Sequence, residues 1–91
     1  MMAEMSEMEL DNRRKRLIFR SEHRGTKEMD LLMGSFARKY LATMTEAEVD
    51  AYEALMENND PDLYNWITKV EPVPAEWQGP LMDRLQVHQA V

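Results

Sequence analysis

Apolar residues recur along most of this chain at three- and four-residue steps, the spacing that gathers them on one side of a helix. From Thr26 onward, Met29, Leu32, Met33, Phe36 and Tyr40 share a helical face. Gly34 interrupts that helix at a cost of roughly 1 kcal/mol against alanine, which a close helix crossing there would explain. Thr45 with Glu48 forms a capping box, and Val49, Tyr52, Leu55 and Met56 continue the helical spacing as far as Asn58 and Asn59. Asp60 is the expected cap of a fourth helix, with Pro61 at a position where no N–H is needed and Leu63, Trp66, Ile67 and Val70 on the buried face. Upstream, a capping box at Ser6 and Glu9 opens a first helix with a thin stripe of Leu10, Leu17 and Ile18, ending between Ser21 and Gly25. Pro72 and Pro74 make Glu71 to Gly79 a connector, after which Leu81, Met82, Leu85 and His88 suggest a last helix.

No alternating run of useful length and no internal repeat appears. The pattern therefore predicts an all-α fold, a compact five-helix bundle. Its expected core is Leu32, Phe36, Tyr52, Leu55, Leu63, Trp66 and Ile67, with Trp66 largely buried. With 91 residues, the chain is too short to divide its apolar side chains between two cores, so a single domain follows. Residues 1–8 read as a flexible N-terminal extension and 9–91 as the domain, expected to be a monomer. A deep pocket would sacrifice much of so small a core, which counts against a self-contained enzyme.

The absence of cysteine excludes disulfides, thiolate nucleophiles and thiolate-ligated metals. No run reaches the roughly 20 apolar residues that cross a bilayer, so direct membrane insertion is not expected. The acidic N-terminus also lacks the order of a signal or transit peptide. The expected location is the bacterial cytoplasm, or the mitochondrial matrix for a chain already processed.

Net charge is −6, yet seven of the 11 basic residues lie between Arg13 and Lys27, while Glu46 to Asp62 carries acids and no base. That distribution predicts a molecule with two electrical faces, the acidic one solvated. His23 and His88 lack ligand-type partners at helical spacing and read as surface histidines, so no metal site is expected. Ser6, Ser21 and Ser35 lack a nucleophile-elbow context, and no Walker loop or strand-borne glycine cradle is present. No catalytic residue and no tightly bound cofactor are predicted, hence no enzyme. Of the nine methionines, Met29, Met33, Met56 and Met82 fall on buried stripes, and Met1, Met2, Met5 and Met8 crowd the N-terminal end.

Arg20 to Asp30, reading RSEHRGTKEMD, is the most informative segment. It supports two readings. In one, Gly25 ends a helix, Thr26 caps the next, and Glu28 favours its positively polarised N-terminus. In the other, a glycine turn presents Arg24, whose planar fork suits carboxylates and phosphates, to a partner. An exposed Arg24 would contribute only about 0.5 kcal/mol to folding, and so would Glu28.

Around these residues the chain resembles the succinate dehydrogenase flavinylation factors. Their Arg-Gly-x-x-Glu motif is matched by Arg24, Gly25 and Glu28. Leu-Ile-Phe-Arg from Leu17 precedes it, MDLLMGSFA from Met29 follows, and DPDLYNW runs from Asp60 to Trp66. The resemblance spans about Arg13 to Val70. It implies a five-helix domain that binds the flavoprotein subunit of succinate dehydrogenase, in some bacteria also fumarate reductase, and promotes covalent attachment of FAD to a histidine of that client. The chemistry would belong to the client, with this chain supplying proximity. The resemblance carries over Arg24, Gly25 and Glu28 as partner-contacting, with Arg20 and Asp30 beside them. The alternative is a small helical regulator using its basic first helix on nucleic acid, whose binding would weaken steeply with salt.

Overall fold

The computed structural model describes residues 11–89, which form five α-helices and two 3-10 turns with no strand among them. In chain order the helices are α1 (Asn12–Ser21), α2 (Lys27–Tyr40), α3 (Glu46–Leu55), α4 (Asp60–Ile67) and α5 (Pro80–Gln89). The 3-10 turns, Leu41–Thr43 and Ala75–Trp77, follow α2 and precede α5.

Each of the first four helices begins on a side chain that satisfies an otherwise orphaned backbone N–H. The box expected at Ser6 and Glu9 lies outside the described residues. Within them, Asp11 caps α1 by accepting from the Arg14 N–H at 2.9 Å. Thr26 caps α2, and Thr45 with Glu48 completes the expected capping box of α3. For α4 the expectation shifts by one residue. Asn59, not Asp60, is the cap, accepting from the Asp62 N–H at 2.9 Å, which leaves the Asp60 carboxylate free for other work.

Phe36, Tyr52, Leu55, Leu63 and Ile67 are buried as expected, and Trp66 is 7% exposed. Leu32 differs. It is only half-buried and packs at the edge of the core. Met29, Met33, Met56 and Met82 are all buried, so unbranched thioethers fill much of the interior. Val70 is exposed instead of completing the α4 stripe, because Lys69 takes a φ of +68° and turns the chain away after Ile67. The Gly34 crossing is present: a Cβ there would stand 2.9 Å from Glu22 Cγ and 3.3 Å from Glu22 Cα, at the end of α1.

Among the described residues Arg14 and Ser21 are buried polar side chains, and both bind the bundle together. Ser21 donates to Leu17 O at 2.7 Å and accepts from the Tyr52 hydroxyl at 2.6 Å, joining α1 to α3. Burial pushes the Tyr52 phenol up to about 12, against the counteracting Ser21 hydrogen bond. Arg14 donates from Nε to Leu41 O at 3.0 Å and from its terminal nitrogen to Met44 O at 2.7 Å, tying α1 to the turn after α2.

The expectation of two electrical faces is overturned. The basic segment lies against the acidic one, so the charges meet. Arg13 sits 2.6 Å from both Asp50 and Glu53, Arg14 lies 3.3 Å from Glu46, and Arg20 lies 3.2 Å from Glu57. Hydrogen bonds to Asp50 and Glu53 move the Arg13 guanidinium further into its charged range. The acidic face of α3 is therefore largely a partner for α1. Finally, α5 closes the bundle by packing across α2, α3 and α4 and burying Met82 and Leu85.

Candidate functional site: the clamped turn between α1 and α2

α1 ends at Ser21 with Glu22 as its C-terminal cap, so Gly25 does not terminate the helix itself. It stands three residues further on, where a φ of +128° redirects the chain into Thr26 and α2. A side chain would be strained in that backbone conformation. The turn is then fixed from two sides. From α2, Asp30 accepts from the Arg24 N–H and, at 3.2 Å, from the Gly25 N–H. From the far side of the bundle, Arg24 reaches to the α3–α4 connection, where each of its three guanidinium nitrogens donates a hydrogen bond.

Arg24 Nε donates to Asp60 Oδ1 at 2.8 Å, and its two terminal nitrogens donate to Met56 O and Asn58 O, each at 2.9 Å. The side chains of Arg24 and Asp60 are 11% and 15% exposed. This corrects the expectation of an outward-facing arginine fork. Arg24 is a strut, and the small stability effect expected for an exposed residue does not apply. Two separate parts of the sequence, the Arg-Gly-x-x-Glu motif and the DPDLYNW segment, are thereby one structural unit. Asp60 was invisible as a site residue because a helix cap is the ordinary reading of Asp before Pro; the Asn59 that preceded it was the only signal of the alternative.

The remaining predicted residues face outward. Gly25 and Glu28 are exposed, and Glu28 sits in the first turn of α2 on the rim of a depression of about 280 Å³. Thr26, Met29, Asp60, Pro61 and Tyr64 complete its lining, with Tyr64 40% exposed. Arg20 borders a second depression of about 190 Å³ with Phe19, His23 and Arg24. Phe19, 62% exposed, stacks on His23 with ring centres 4.1 Å apart, and His23 Nδ1 lies 2.7 Å from Phe19 O. Arg24 thus holds up a surface with an exposed acid on one flank and a basic, aromatic group on the other. Tyr64 and Phe19 were missed at the sequence level, since a helical stripe cannot show which aromatic residues the packing leaves outside.

His88 also departs from expectation, being partly buried beside Ser35, Phe36 and Tyr40, while His23 is exposed. Among the described residues no group of three or more His, Asp or Glu side chains could hold a metal ion. No helix there is long and apolar enough to cross a membrane.

These features define a small all-α domain organised around a charge-clamped interhelical turn. A family model described as flavinator of succinate dehydrogenase matches residues 15–89, and the chain belongs to that family. It is 45% identical over 73 residues to the mitochondrial succinate dehydrogenase assembly factor 2 of Candida glabrata, covering 77% of this chain and 48% of the relative. The proteins of the same name from Dictyostelium discoideum and Danio rerio are 39% and 42% identical over 80 and 79 residues. Those matches cover 88% and 85% of this chain and 57% and 50% of the relatives. The chain spans about half the length of the curated relatives it matches. The family is described as a flavinator and the relatives are named as assembly factors, descriptions that name no nucleic-acid regulator. Arg13, Arg14, Arg20 and Arg24 bind carboxylates or carbonyls of their own chain.

Proposed function

We propose that this protein binds the flavoprotein subunit of succinate dehydrogenase, or the homologous subunit of fumarate reductase, and promotes covalent attachment of FAD to it. The single observation that supports this most is the turn itself. Asp30 and the Arg24–Asp60 pair hold Gly25 and Glu28 in one geometry at the surface, beside an apolar depression ending in Tyr64. A preformed contact of this kind spends little ordering entropy on binding.

The protein itself is not an enzyme in this reading, and it carries no tightly bound cofactor. The covalent chemistry belongs to the client, and the helper contributes by holding the client's segments near the reactive arrangement, a proximity effect. Gly25 allows close backbone approach, Glu28 offers a carboxylate, and Arg24 with Asp30 acts by keeping both in place. The factor works as a monomer, in the bacterial cytoplasm or the mitochondrial matrix, the relatives being named mitochondrial.

Glu28→Ala tests this reading, because an exposed residue in the first turn of a helix contributes well under 1 kcal/mol to folding. Loss of a desolvated charged contact would remove roughly 2 to 5 kcal/mol of binding. The expected outcome is near-normal melting with poor covalent flavin incorporation, read as in-gel flavin fluorescence of the coexpressed client subunit. Normal incorporation would return the motif to a purely structural role.

A further inference from the structure

The last helix enters through Gly79, whose φ is +142° and around which a Cβ would meet nothing within 4 Å. From there α5 is fastened at three levels. Met82 and Leu85 are buried in the core, and Gln86 Nε2 donates to Trp66 O of α4 at 3.0 Å. At its final turn His88 Nε2 lies 2.7 Å from Ser35 Oγ of α2. The imidazole stands nearly perpendicular to the rings of Phe36 and Tyr40, with centres 5.5 and 6.1 Å away.

Two cations share those rings. The Arg84 guanidinium of α5 lies 4.6 Å from the Tyr40 ring centre and 5.8 Å from that of Phe36. The Lys39 ammonium of α2 lies 5.4 Å from the Tyr40 centre. Among the described residues, the carboxylate that meets this group is Glu48 of α3, 3.8 Å from Arg84. α4 meets α5 through the uncharged Trp66 carbonyl, which accepts from Gln86 and not from His88.

We propose that His88 is a pH-sensitive latch, in which the neutral imidazole holds the last turn of α5 on α2 and protonation releases that turn from Phe36 and Tyr40. In the tautomer in which Ser35 gives its hydroxyl proton to Leu32 O, 3.2 Å away, its oxygen accepts from the Nε2–H of the neutral ring. In that tautomer a second proton enters at Nδ1. It brings a third positive charge to a partly dehydrated aromatic group already carrying Lys39 and Arg84. Burial first, and then Lys39, lower the His88 pKa from its ordinary value. With the folded value depressed, docking is intact above the ordinary imidazole value of about 6.5 and weakens as the pH falls below it.

The device rests on the fold alone and not on the proposed client. Its test is amide hydrogen exchange on the full chain, corrected for intrinsic rates, with the amides of Val87 and His88 as reporters and those of α1 as reference. Between about pH 8 and about pH 5 the open fraction of the α5 reporters should rise roughly threefold to tenfold relative to α1. His88→Gln keeps a donor for Ser35 but does not titrate, so it should abolish that relative rise. A flat response in the natural chain, or the same rise in His88→Gln, overturns the proposal. So does an NMR titration midpoint for His88 at or above about 6.5 in the unaltered protein.

Discussion

The turn between α1 and α2 and the docking of α5 are held by different physics. At the turn nearly every contact is polar and directional: Asp30 on two backbone N–H groups, Arg24 on a carboxylate and two carbonyls. At α5 the attachment is mostly apolar, through Met82 and Leu85, with one hydrogen bond from Gln86 to Trp66 O, one between His88 and Ser35, and an ion pair of Arg84 with Glu48. Directional bonds fix a geometry, whereas apolar contact fixes a position and tolerates small sliding. The contact surface proposed for the client therefore lies on the rigid part. The segment able to respond to conditions is α5, whose final turn is held to α2 by the single His88–Ser35 hydrogen bond.

Trp66→Ala removes a large side chain from the core that both regions rest on. The expected loss is about 3 to 5 kcal/mol, enough to unfold a domain of ordinary stability. An unchanged thermal melt would place Trp66 outside the core.

Arg24→Ala would break the directional region alone. Leaving Asp60 and two carbonyls without their donor should cost about 3 kcal/mol, the penalty of a nearly buried partner stranded, far above the value for an exposed arginine. Arg24→Lys keeps the charge but cannot replace three guanidinium bonds, so it should rescue only part of the loss in urea titration. A loss of about 0.5 kcal/mol or less in Arg24→Ala would mean that the strut does not bear on stability.

Alkaline unfolding probes the core link between Ser21 of α1 and Tyr52 of α3, outside both regions, without mutation. The Tyr52 phenol titrates near 12 in the folded chain and near 10 when unfolded, so its contribution is intact below about pH 10 and is lost as the pH rises towards 12. That contribution is of the order of 2 to 3 kcal/mol. Tyr52→Phe should flatten this part of the stability curve, measured by denaturant titration across the interval. A curve of unchanged slope would show that Tyr52 does not set it.

Gly25→Ala carries a smaller expected effect on the fold than these, about 1 kcal/mol from a side chain at positive φ. The site has room, since the nearest atom to an added Cβ, Asp60 Oδ2, is 3.6 Å away. The substitution tests backbone conformation and not crowding. A gain in melting temperature would show that the turn does not need its glycine.

Helix existence was legible because burial imposes a period on the sequence, and four helices each begin on a short side chain able to accept from the backbone. The close crossing at Gly34 was legible too, since an unfavourable glycine within a strong stripe calls for a steric reason. By itself, then, the sequence determined the fold class and most of the buried stripes of α2, α3 and α4, though not the half-burial of Leu32 or the exposure of Val70. Only the tertiary structure decided the fate of the charges. A run of arginines and a run of acids look like two faces until packing lays one on the other, because an ion pair 36 residues apart in sequence leaves no local periodicity. The same reason hid the role of Asp60: whether its carboxylate caps a helix or receives Arg24 depends on which residue the chain folds against it, a long-range contact that no local spacing encodes.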